Sequence, residues 1–341
     1  MLPEDFTNRL RQNLGAPQAA RIVATMRQPK AFGLWENPLR CPAILEQQGA
    51  EGPGIEELFR ACGITPVPSA ASVSTAMPGG YSMDAGFRDI VMRCDWVTEG
   101  AIYPMNPSSL FAALAVGVQP GDEVLDLAAA PGGKSLVMAA ALTEQGRATG
   151  RLALVEPIKA RFHRMRANMQ RCGVLQADYY QRDGRTVGAA VPERFDRVLL
   201  DAPCSSEARF HADHPGSASH WSLRKVRDCA RKQKALLKSA YRALKPGGTL
   251  VYSTCSFSIE ENERIVDGLL RREPDAVLTP VEVPQDIADR FSTAITEVPS
   301  TNENGGAMRR TKTLNCKHAL RVLPDDLWDG FFLAKIVKLE R

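Results

Sequence analysis

From residue 122 onward, short apolar runs alternate with segments of helical periodicity, and this alternation restricts the possible folds more than any other feature of the chain. Apolar runs of strand length occupy residues 124–127, 152–155, 177–180, 195–200 and 249–253. Apolar residues recur at helical spacing in the segments 135–142, 160–171, 225–244 and 260–270. Strands separated by single helices form a parallel sheet with helices on both faces. A last apolar run over 330–337 is expected to join that sheet antiparallel at an edge.

The segment before residue 98 has a different pattern. Two helices are expected over 5–28, because Phe6 and Leu10 follow helical spacing before the break at Gly15. Shorter elements are expected at 31–36 (extended), 44–48 (helical) and 55–62 (helical). We therefore predict a small α+β domain over residues 1–98, followed by an α/β domain over residues 99–341.

Composition bounds the class of protein. With 341 residues, of which 44% are hydrophobic and 24% charged, the chain can bury a large core. Its net charge of +4 permits a nucleic-acid partner without demanding one. No apolar run approaches the roughly 20 residues that span a bilayer, and the acidic Glu4 and Asp5 do not suit a signal peptide. We expect a soluble monomer without a membrane partner.

The cysteines point to a reducing compartment. The chain has 8 cysteines, with no CxxC pair and no cysteine and histidine cluster at metal-binding spacing. A disulfide framework and a zinc site are therefore not expected, and we predict a cytoplasmic location and no metal. His211, His214 and His220 lack carboxylates at fixed offsets, so they do not change the expectation of no metal.

Two of the cysteines each come shortly after a predicted core strand. Cys204 follows the run 195–200, and Cys255 follows the run 249–253. Because parallel strands end at the same edge of a sheet, where ligands bind, both thiols are expected at that edge. Two thiols at one edge indicate covalent chemistry. The alternative for either residue alone is a buried structural cysteine.

The first strand of the α/β domain leads into a loop of small residues and then a helix. Glycines let a ligand approach the backbone, and the helix adds exposed amides. The loop matches neither GxGxxG nor the Walker pattern, which disfavours a dinucleotide or a triphosphate. S-adenosylmethionine is among the remaining nucleosides, with Glu156 placed to hold its hydroxyls and Asp183 its adenine. Each acid alone could equally be a cap or turn residue; their order behind successive strands favours the cofactor.

Three motifs make the chain resemble a known family. They are residues 125–134 (Leu-Asp-Leu-Ala-Ala-Ala-Pro-Gly-Gly-Lys), 201–205 (Asp-Ala-Pro-Cys-Ser), and 253–256 (Ser-Thr-Cys-Ser) with 261–263 (Glu-Asn-Glu). From about residue 100 to the end, the chain resembles the NSUN/RsmB/RsmF-type (Sun/Nop) RNA cytosine-C5 methyltransferases. The resemblance implies a class I Rossmann-like methyltransferase domain, whose mostly parallel seven-stranded sheet has an antiparallel last strand.

The same resemblance implies roles for individual residues. S-adenosylmethionine would be the cofactor, Cys255 the nucleophile and Cys204 the thiol that helps release the product, while Asp201 would contact the target base. The residues implied to line the cofactor pocket are Ala128, Ala129, Ala130, Pro131, Gly132, Gly133, Lys134, Glu156, Asp183 and Asp201. Two positions depart from the family pattern: Ala128 replaces a common cysteine, and Ser206 replaces a common glycine in the loop over 206–210.

The implied chemistry explains why two thiols and an acid are needed. Carbon 5 of cytosine is a poor nucleophile until a thiolate adds to carbon 6, and proton sharing at N3 drives that addition. A free cysteine, with a pKa near ~8.5, needs a cationic neighbour or a helix N-terminus to ionise. The helix predicted to begin near Glu260 follows Cys255 in the sequence.

Basic and aromatic residues offer a second line of inference. The segment after Arg224 and the triplet of arginines at 161, 164 and 166 could track RNA phosphates together with Arg309, Arg310 and Lys312, or could be ordinary solvated surface. Phe210 and Trp221 could stack on a base or belong to the core.

These observations support one leading function and three alternatives. The leading hypothesis is an S-adenosylmethionine-dependent methyltransferase that forms 5-methylcytosine in RNA, with ribosomal RNA favoured. Transfer RNA is the nearest alternative substrate. A methyltransferase acting on a protein or a small molecule, and a non-catalytic RNA-binding scaffold, share the fold but leave the paired cysteines without a role.

Overall fold

The computed structural model describes residues 2–28, 30–48, 54–64, 77–212, 214, 216–301 and 307–340. The N-terminal part consists of helices and a three-stranded antiparallel sheet of order β2-β1-β3. Its elements are α1 (Glu4–Leu14), α2 (Ala16–Thr25), β1 (Phe32–Glu36), α3 (Cys41–Gln48), α4 (Gly54–Ala61), β2 (Gly80–Met83), α5 (Arg88–Val91), α6 (Asp95–Thr98) and β3 (Ile102–Pro104). Strand β3 lies past the boundary predicted near residue 98, and the division into two domains stays a prediction.

The rest of the chain forms one large sheet with flanking helices. Its helices are α7 (Pro107–Ala115), α8 (Gly133–Ala141), α9 (Lys159–Arg171), α10 (Val187–Ala190), α11 (Leu223–Ala243) and α12 (Glu263–Leu270). Its strands are β4 (Glu123–Asp126), β5 (Thr143–Glu144), β6 (Arg147–Ala148), β7 (Arg151–Val155), β8 (Asp178–Tyr180), β9 (Phe195–Asp201), β10 (Leu244–Thr254), β11 (Ala276–Thr279), β12 (Phe291–Thr293), β13 (Glu297–Thr301), β14 (Ala307–Thr313), β15 (Leu320–Val322) and β16 (Phe331–Lys338). Short 3-10 turns occupy Ala85–Phe87, Gly184–Thr186, Glu207–Arg209 and Gln285–Arg290.

The large sheet has the order β12-β15-β16-β10-β9-β4-β7-β8, with β11 also paired to β16. Strands β8, β7, β4, β9 and β10 are parallel, and β16 is antiparallel to β10. The predicted fold class, including the antiparallel last strand, is confirmed, but β16 lies inside the sheet between β10 and β15 and not at the predicted edge. The sheet has nine strands rather than seven, because the eight-residue β16 accommodates β15 beside one half and β11 beside the other, and β12 extends beyond β15.

The central strands are buried on both faces. Val198, Leu199 and Leu200 of β9 and Val251 of β10 are 0% exposed, as the continuous apolar runs of a parallel sheet require. Asp201 at the end of β9 pairs in register with Ser253 of β10. The two loops that follow these strands therefore start side by side at the carboxyl edge.

The first two helices pack against one of these loops. Phe6 of α1 meets the rings of Phe210 and Trp221 edge to face, with ring centroids 5.2 and 5.6 Å away. Phe210 is 3% exposed and Trp221 9% exposed, so both belong to the core and neither is free to stack on a base. Helices α1 and α2 thus fix the far side of the loop that carries Cys204.

Candidate active site at the carboxyl edge of the sheet

The two predicted thiols lie in contact. The Sγ atoms of Cys204 and Cys255 are 3.3 Å apart, and both side chains are half-buried. Strands β9 and β10 are hydrogen-bonded neighbours, so the loops that leave their ends run beside each other. A further backbone bond, from the amide of Ala208 to the carbonyl of Cys255 at 3.1 Å, joins the loops beyond the thiols.

The environment separates the pKa values of the two thiols. The hydrogen bond from Cys204 and, after the opposing effect of burial, the charge of Arg209 lower the pKa of Cys255. The same hydrogen bond and burial raise the pKa of Cys204 well above its ordinary value. Helix α12 begins at Glu263 and not near Glu260 as predicted. The positive charge that favours the Cys255 thiolate therefore comes from Arg209 and not from the N-terminus of this helix. Sequence reasoning assigned no role to this arginine.

Asp201 joins the thiol loops to the loop after β4. One carboxylate oxygen accepts a hydrogen bond from Nζ of Lys134 at 2.7 Å, and the other accepts one from the Ser253 hydroxyl at 2.9 Å. Lys134 also donates to the Ser109 hydroxyl at 3.2 Å and lies 5.3 Å from the centre of the Phe331 ring. These contacts hold the Asp201 carboxylate at the junction of the two predicted sites.

A buried carboxylate, Glu261, binds both cysteine loops from behind. It is 0% exposed and accepts hydrogen bonds from the Ser205 amide, the Gln233 side chain and the Ser256 hydroxyl, each at 2.9 Å. It accepts a further bond from the Ser205 hydroxyl. Burial raises the pKa of Glu261 to about 6. The sequence analysis included Glu261 in the motif over residues 261–263 but assigned it no role.

Glu207, also buried, supports the loop of Cys255 from the other side. Its carboxylate accepts bonds of 2.8 Å from the Phe257 amide, the Ser258 hydroxyl and the Trp221 indole, and one of 3.0 Å from the Ser256 hydroxyl. Nothing in the sequence pattern distinguished this residue from an exposed loop acid. The structure thus adds two buried acids to the predicted set.

The loop over residues 128–134 is shaped by its glycines. Gly132 has φ +107°, a conformation that side chains rarely adopt. A Cβ atom on Gly133 would lie 2.9 Å from Cε1 of Tyr103, so this backbone packs too closely for a side chain. Of the other predicted residues, Ala129 and Ala130 are buried, Ala128 is half-buried and Pro131 is exposed.

Asp126, at the end of β4, supports this loop from the core. It is 2% exposed and accepts bonds from the Ser135 hydroxyl at 2.7 Å and from the Ala128 amide at 3.3 Å. Burial raises its pKa to about 6. The sequence motif included Asp126, but its support of the loop is visible only in the structure.

The two predicted cofactor acids follow the next strands of the sheet. Glu156, after β7, is 1% exposed; it accepts a bond from the Ile158 amide at 2.9 Å and lies 3.4 Å from Arg161. Asp183, after β8, is half-buried and pairs with Arg185, which lowers its pKa. Glycine backbone, a helix N-terminus and two acids at successive strand ends fit a nucleoside such as S-adenosylmethionine.

The predicted phosphate-tracking residues have different partners. Eight basic side chains on α11 are exposed: Arg224, Lys225, Arg227, Arg231, Lys232, Lys234, Lys238 and Arg242. Arg161 donates to the Ala130 carbonyl at 2.9 Å, and Lys312 pairs with Asp267 at 3.5 Å. The side chains of Arg309 and Arg310 lie outside the described part of the structure. Helix α11 therefore presents the clearest basic surface.

In the described ranges, the structure contains neither a group of side chains suited to a metal ion nor a helix suited to span a membrane. The rings of His211 and His214 are 4.5 Å apart, but in those ranges no group of histidine, cysteine and acidic residues could hold a metal ion. In the same part of the chain, no helix combines the length and apolar character needed to cross a bilayer.

The sheet order, with β16 antiparallel to β10, and the loop after the first parallel strand are those of a class I Rossmann-like methyltransferase fold, here with paired thiols beside that loop. The family model described as 16S rRNA methyltransferase RsmB/F matches residues 113–337. The chain belongs to this family, and the predicted resemblance is confirmed.

Individual proteins agree with this assignment. Ribosomal RNA small subunit methyltransferase F of Vibrio cholerae is 34% identical over 346 residues, which cover 99% of this chain and 64% of that protein. The protein of the same name from Cronobacter sakazakii is 42% identical over 283 residues, or 81% of this chain and 55% of that protein. The chain thus spans less than two thirds of these relatives.

A solved structure supports the fold over nearly the whole chain. A methyltransferase homologue from Pyrococcus horikoshii superposes with a TM-score of 0.71 at 28% identity, covering 99% of this chain and 95% of the other.

Proposed function

We propose that this protein transfers a methyl group from S-adenosylmethionine to carbon 5 of a cytosine in small-subunit ribosomal RNA. The observation that carries the proposal is the contact of Cys204 and Cys255 at 3.3 Å, with their pKa values shifted in opposite directions beside Asp201. The names of the relatives supply the RNA class.

The loop over residues 128–134 and the acids Glu156 and Asp183 would hold the cofactor. When bound, S-adenosylmethionine supplies an electrophilic methyl group. Gly132, with its positive φ, and Gly133, packed on Tyr103, would shape the loop that binds it, and the amides that begin α8 would be available to it. Lys134, tied to Asp201, links the cofactor side of the pocket to the base side.

Cys255 begins the reaction as a thiolate. Its lowered pKa increases the ionised fraction at neutral pH, and the thiolate adds to carbon 6 of the cytosine. N3 takes up a proton from solvent, and Asp201 accepts a hydrogen bond from that N3–H, so the charge that the addition places on the ring is stabilised. Carbon 5 then becomes nucleophilic enough to accept a methyl group.

Cys204 acts at the end of the reaction. After methyl transfer, carbon 5 loses its proton to solvent, the electron pair of that bond forms the carbon 5–carbon 6 double bond again, Cys255 leaves as a thiolate, and N3 returns its proton to solvent. The Cys204 thiol, held protonated by its raised pKa, donates a hydrogen bond to that departing sulfur. This contact makes the leaving group better and so favours release of the product.

The RNA would reach the thiols along the surface beside the N-terminal helices. A cytosine must leave its stack to meet half-buried sulfur atoms, so single-stranded or flipped RNA is the expected form. Helix α11 offers exposed cations for the phosphates. We assign residues 1–98 to presentation of the RNA, and we place the reaction in the cytoplasm, where the 8 unpaired cysteines would stay reduced.

The test uses radiolabelled S-adenosylmethionine and total RNA. After incubation, ribosomal and transfer RNA are separated and digested to nucleosides. We expect label in 5-methylcytosine from small-subunit ribosomal RNA, and none with the Cys255→Ser control. Label in transfer RNA alone would change the substrate, and label absent from 5-methylcytosine would refute the proposed reaction.

A further inference from the structure

The residues that directly follow the two cysteines also meet. Ser205 and Ser256 have hydroxyl oxygens 3.1 Å apart. The Ser205 hydroxyl donates to the carboxylate of Glu261, and the one proton of the Ser256 hydroxyl is shared between Glu261 at 2.9 Å and Glu207 at 3.0 Å. The Ser205 amide donates to the same carboxylate at 2.9 Å. One buried side chain is therefore bonded to both loops, immediately behind the thiols.

Glu261 is itself held by two other elements. Gln233 of α11 donates to Glu261 at 2.9 Å and to the Pro203 carbonyl at 3.0 Å. The Tyr252 hydroxyl of β10 donates to the backbone carbonyl of Glu261. The carboxylate is thus anchored to helix α11 and the Glu261 backbone to strand β10, in the segment that joins Cys255 to α12.

We propose that Glu261 is the positioning residue that holds the Cys204 and Cys255 loops in register, an inference that rests on the proposed function of the two thiols.

The thiol contact needs such a support. Each cysteine lies in a loop beyond the last strand pairing, where the sheet no longer sets the spacing between chains. A misplacement of about 1 Å can cost about 100-fold in rate, because the reacting atoms lose their alignment. In the described part of the chain, the hydrogen bonds of the Glu261 carboxylate come from neutral donors on the loops and on α11, which is what a clamp requires.

The charge of Glu261 also distinguishes the two thiols. The charge of Glu261 raises the pKa of Cys204. The pKa of Cys255 is lowered by the charge of Arg209 and raised by that of Asp201. Fixing the loops on Glu261 therefore keeps Cys204 as the donor in the thiol pair.

The first test needs no RNA. The rate at which iodoacetamide alkylates Cys255 is measured against pH, by mass spectrometry of the peptide that contains it. In Glu261→Ala the loops separate and Cys255 loses the bond from Cys204, so we expect the profile to move to higher pH. Glu261→Gln can still accept from the Ser205 amide and donate to the serine hydroxyls, so it should hold the loops together. It removes the charge that raises the pKa of Cys204, so its profile should lie close to that of the wild type and well below that of Glu261→Ala.

Asp267→Asn is the matched control. Asp267 is also a buried carboxylate, but it receives bonds from Arg271 and from the Asn315 amide, away from the thiols. This variant should lower the melting temperature without moving the alkylation profile. If Glu261→Ala does not fold, Ser205→Ala combined with Ser256→Ala removes the same hydroxyl bonds and should shift the profile in the same direction.

Turnover gives the second readout. With RNA, kcat of Glu261→Ala should fall about 100-fold, while KM for S-adenosylmethionine stays at the wild-type value. An unchanged alkylation profile in the folded alanine or double-serine variant would overturn the inference. If wild-type protein methylates no RNA, the proposed function fails instead, and the alkylation profiles still decide the role of Glu261.

Discussion

The loop over residues 128–134, here called the cofactor loop, and the loops that carry Cys204 and Cys255, here called the cysteine loops, lie at the same edge of one sheet. They differ in what fixes their conformation, although a buried acid lies behind each. The cofactor loop is shaped by its backbone: Gly132 has φ +107°, and Gly133 packs where a side chain would collide. The cysteine loops are shaped by side chains, because Glu207 and Glu261 bind them through buried hydrogen bonds. The difference corresponds to what each region must do.

The acids in the two regions show this division. Glu156 and Asp183 pair with the side chains of Arg161 and Arg185, which are exposed and can rearrange when a ligand arrives. Glu261, in contrast, is bonded to neutral side chains that are themselves buried, those of Ser205, Gln233 and Ser256. A cofactor pocket has to exchange its contacts for those of a ligand, whereas two thiols have to stay in contact whether or not a ligand is present.

Among the variants that distinguish the cofactor loop from the cysteine loops, Asp201→Asn is expected to have the largest effect on the reaction rate. The variant keeps an acceptor for Ser253 but loses the carboxylate that shares a proton with the base, so kcat should fall by about 10²- to 10⁴-fold. Asp201 also raises the pKa of Cys255, so the thiol should become more reactive toward iodoacetamide at neutral pH. Turnover and alkylation rates, measured on one preparation, should move in opposite directions; a parallel fall would contradict the assigned role.

Asp126→Asn tests how the cofactor loop is supported. The pKa of Asp126 is raised from 3.8 to about 6, so the folded protein binds more protons than the unfolded chain between these values. Wild-type stability should therefore decrease as pH rises through this window, at a cost of about 3 kcal/mol that the asparagine variant avoids. Denaturant unfolding at several pH values should show the advantage of the variant growing from about pH 4 to about pH 7. A difference in stability between Asp126→Asn and the wild type that does not change with pH would contradict the raised pKa of Asp126.

Gly132→Ala isolates the backbone contribution, with Gly121→Ala as its control. Both glycines have positive φ, so each substitution should cost about 1–2 kcal/mol of stability. Only the Gly132 variant lies in the cofactor loop, where we expect the Kd for S-adenosylmethionine to rise about tenfold, or about 1.4 kcal/mol. Calorimetric titration of both variants measures the difference. Equal affinities would place the cofactor elsewhere.

The smallest effect is expected from Ser206→Gly, at the departure from the family pattern. Ser206 has φ +60°, which glycine adopts more easily, so the free energy of unfolding should rise. The rise should stay below about 1 kcal/mol, because glycine also gives the unfolded chain more conformational freedom. The Ser206 hydroxyl lowers the pKa of Cys255, so its loss should slow alkylation of that thiol at neutral pH. A variant that is more stable and equally reactive would leave the hydroxyl without a role.

The alternation of strands and helices predicted much of this structure. It identified the parallel strands, the edge shared by Cys204 and Cys255, and the antiparallel β16, because period and chain order determine these features. The short strands β11 and β15 beside β16, and β12 beyond β15, were missed, since runs of three or four residues carry too little periodicity to be recognised.

The support behind the thiols could not be predicted for a different reason. Glu207 and Glu261 are common residue types for an exposed loop or a helix start, and only tertiary packing buries them. Phe210 and Trp221 had two open interpretations, which the packing of α1 against them decided. Local pattern thus predicts elements and their ends, while contacts between distant segments have to be seen.

The central claim, that Cys255 attacks and Cys204 releases, is tested most directly by trapping the covalent intermediate. Cys204→Ala and Cys255→Ala are each incubated with RNA and S-adenosylmethionine, and the mixtures are resolved by denaturing electrophoresis. We predict a protein–RNA adduct with Cys204→Ala, because release is blocked, and none with Cys255→Ala. An adduct formed by the Cys255 variant would contradict the assignment of the two thiols.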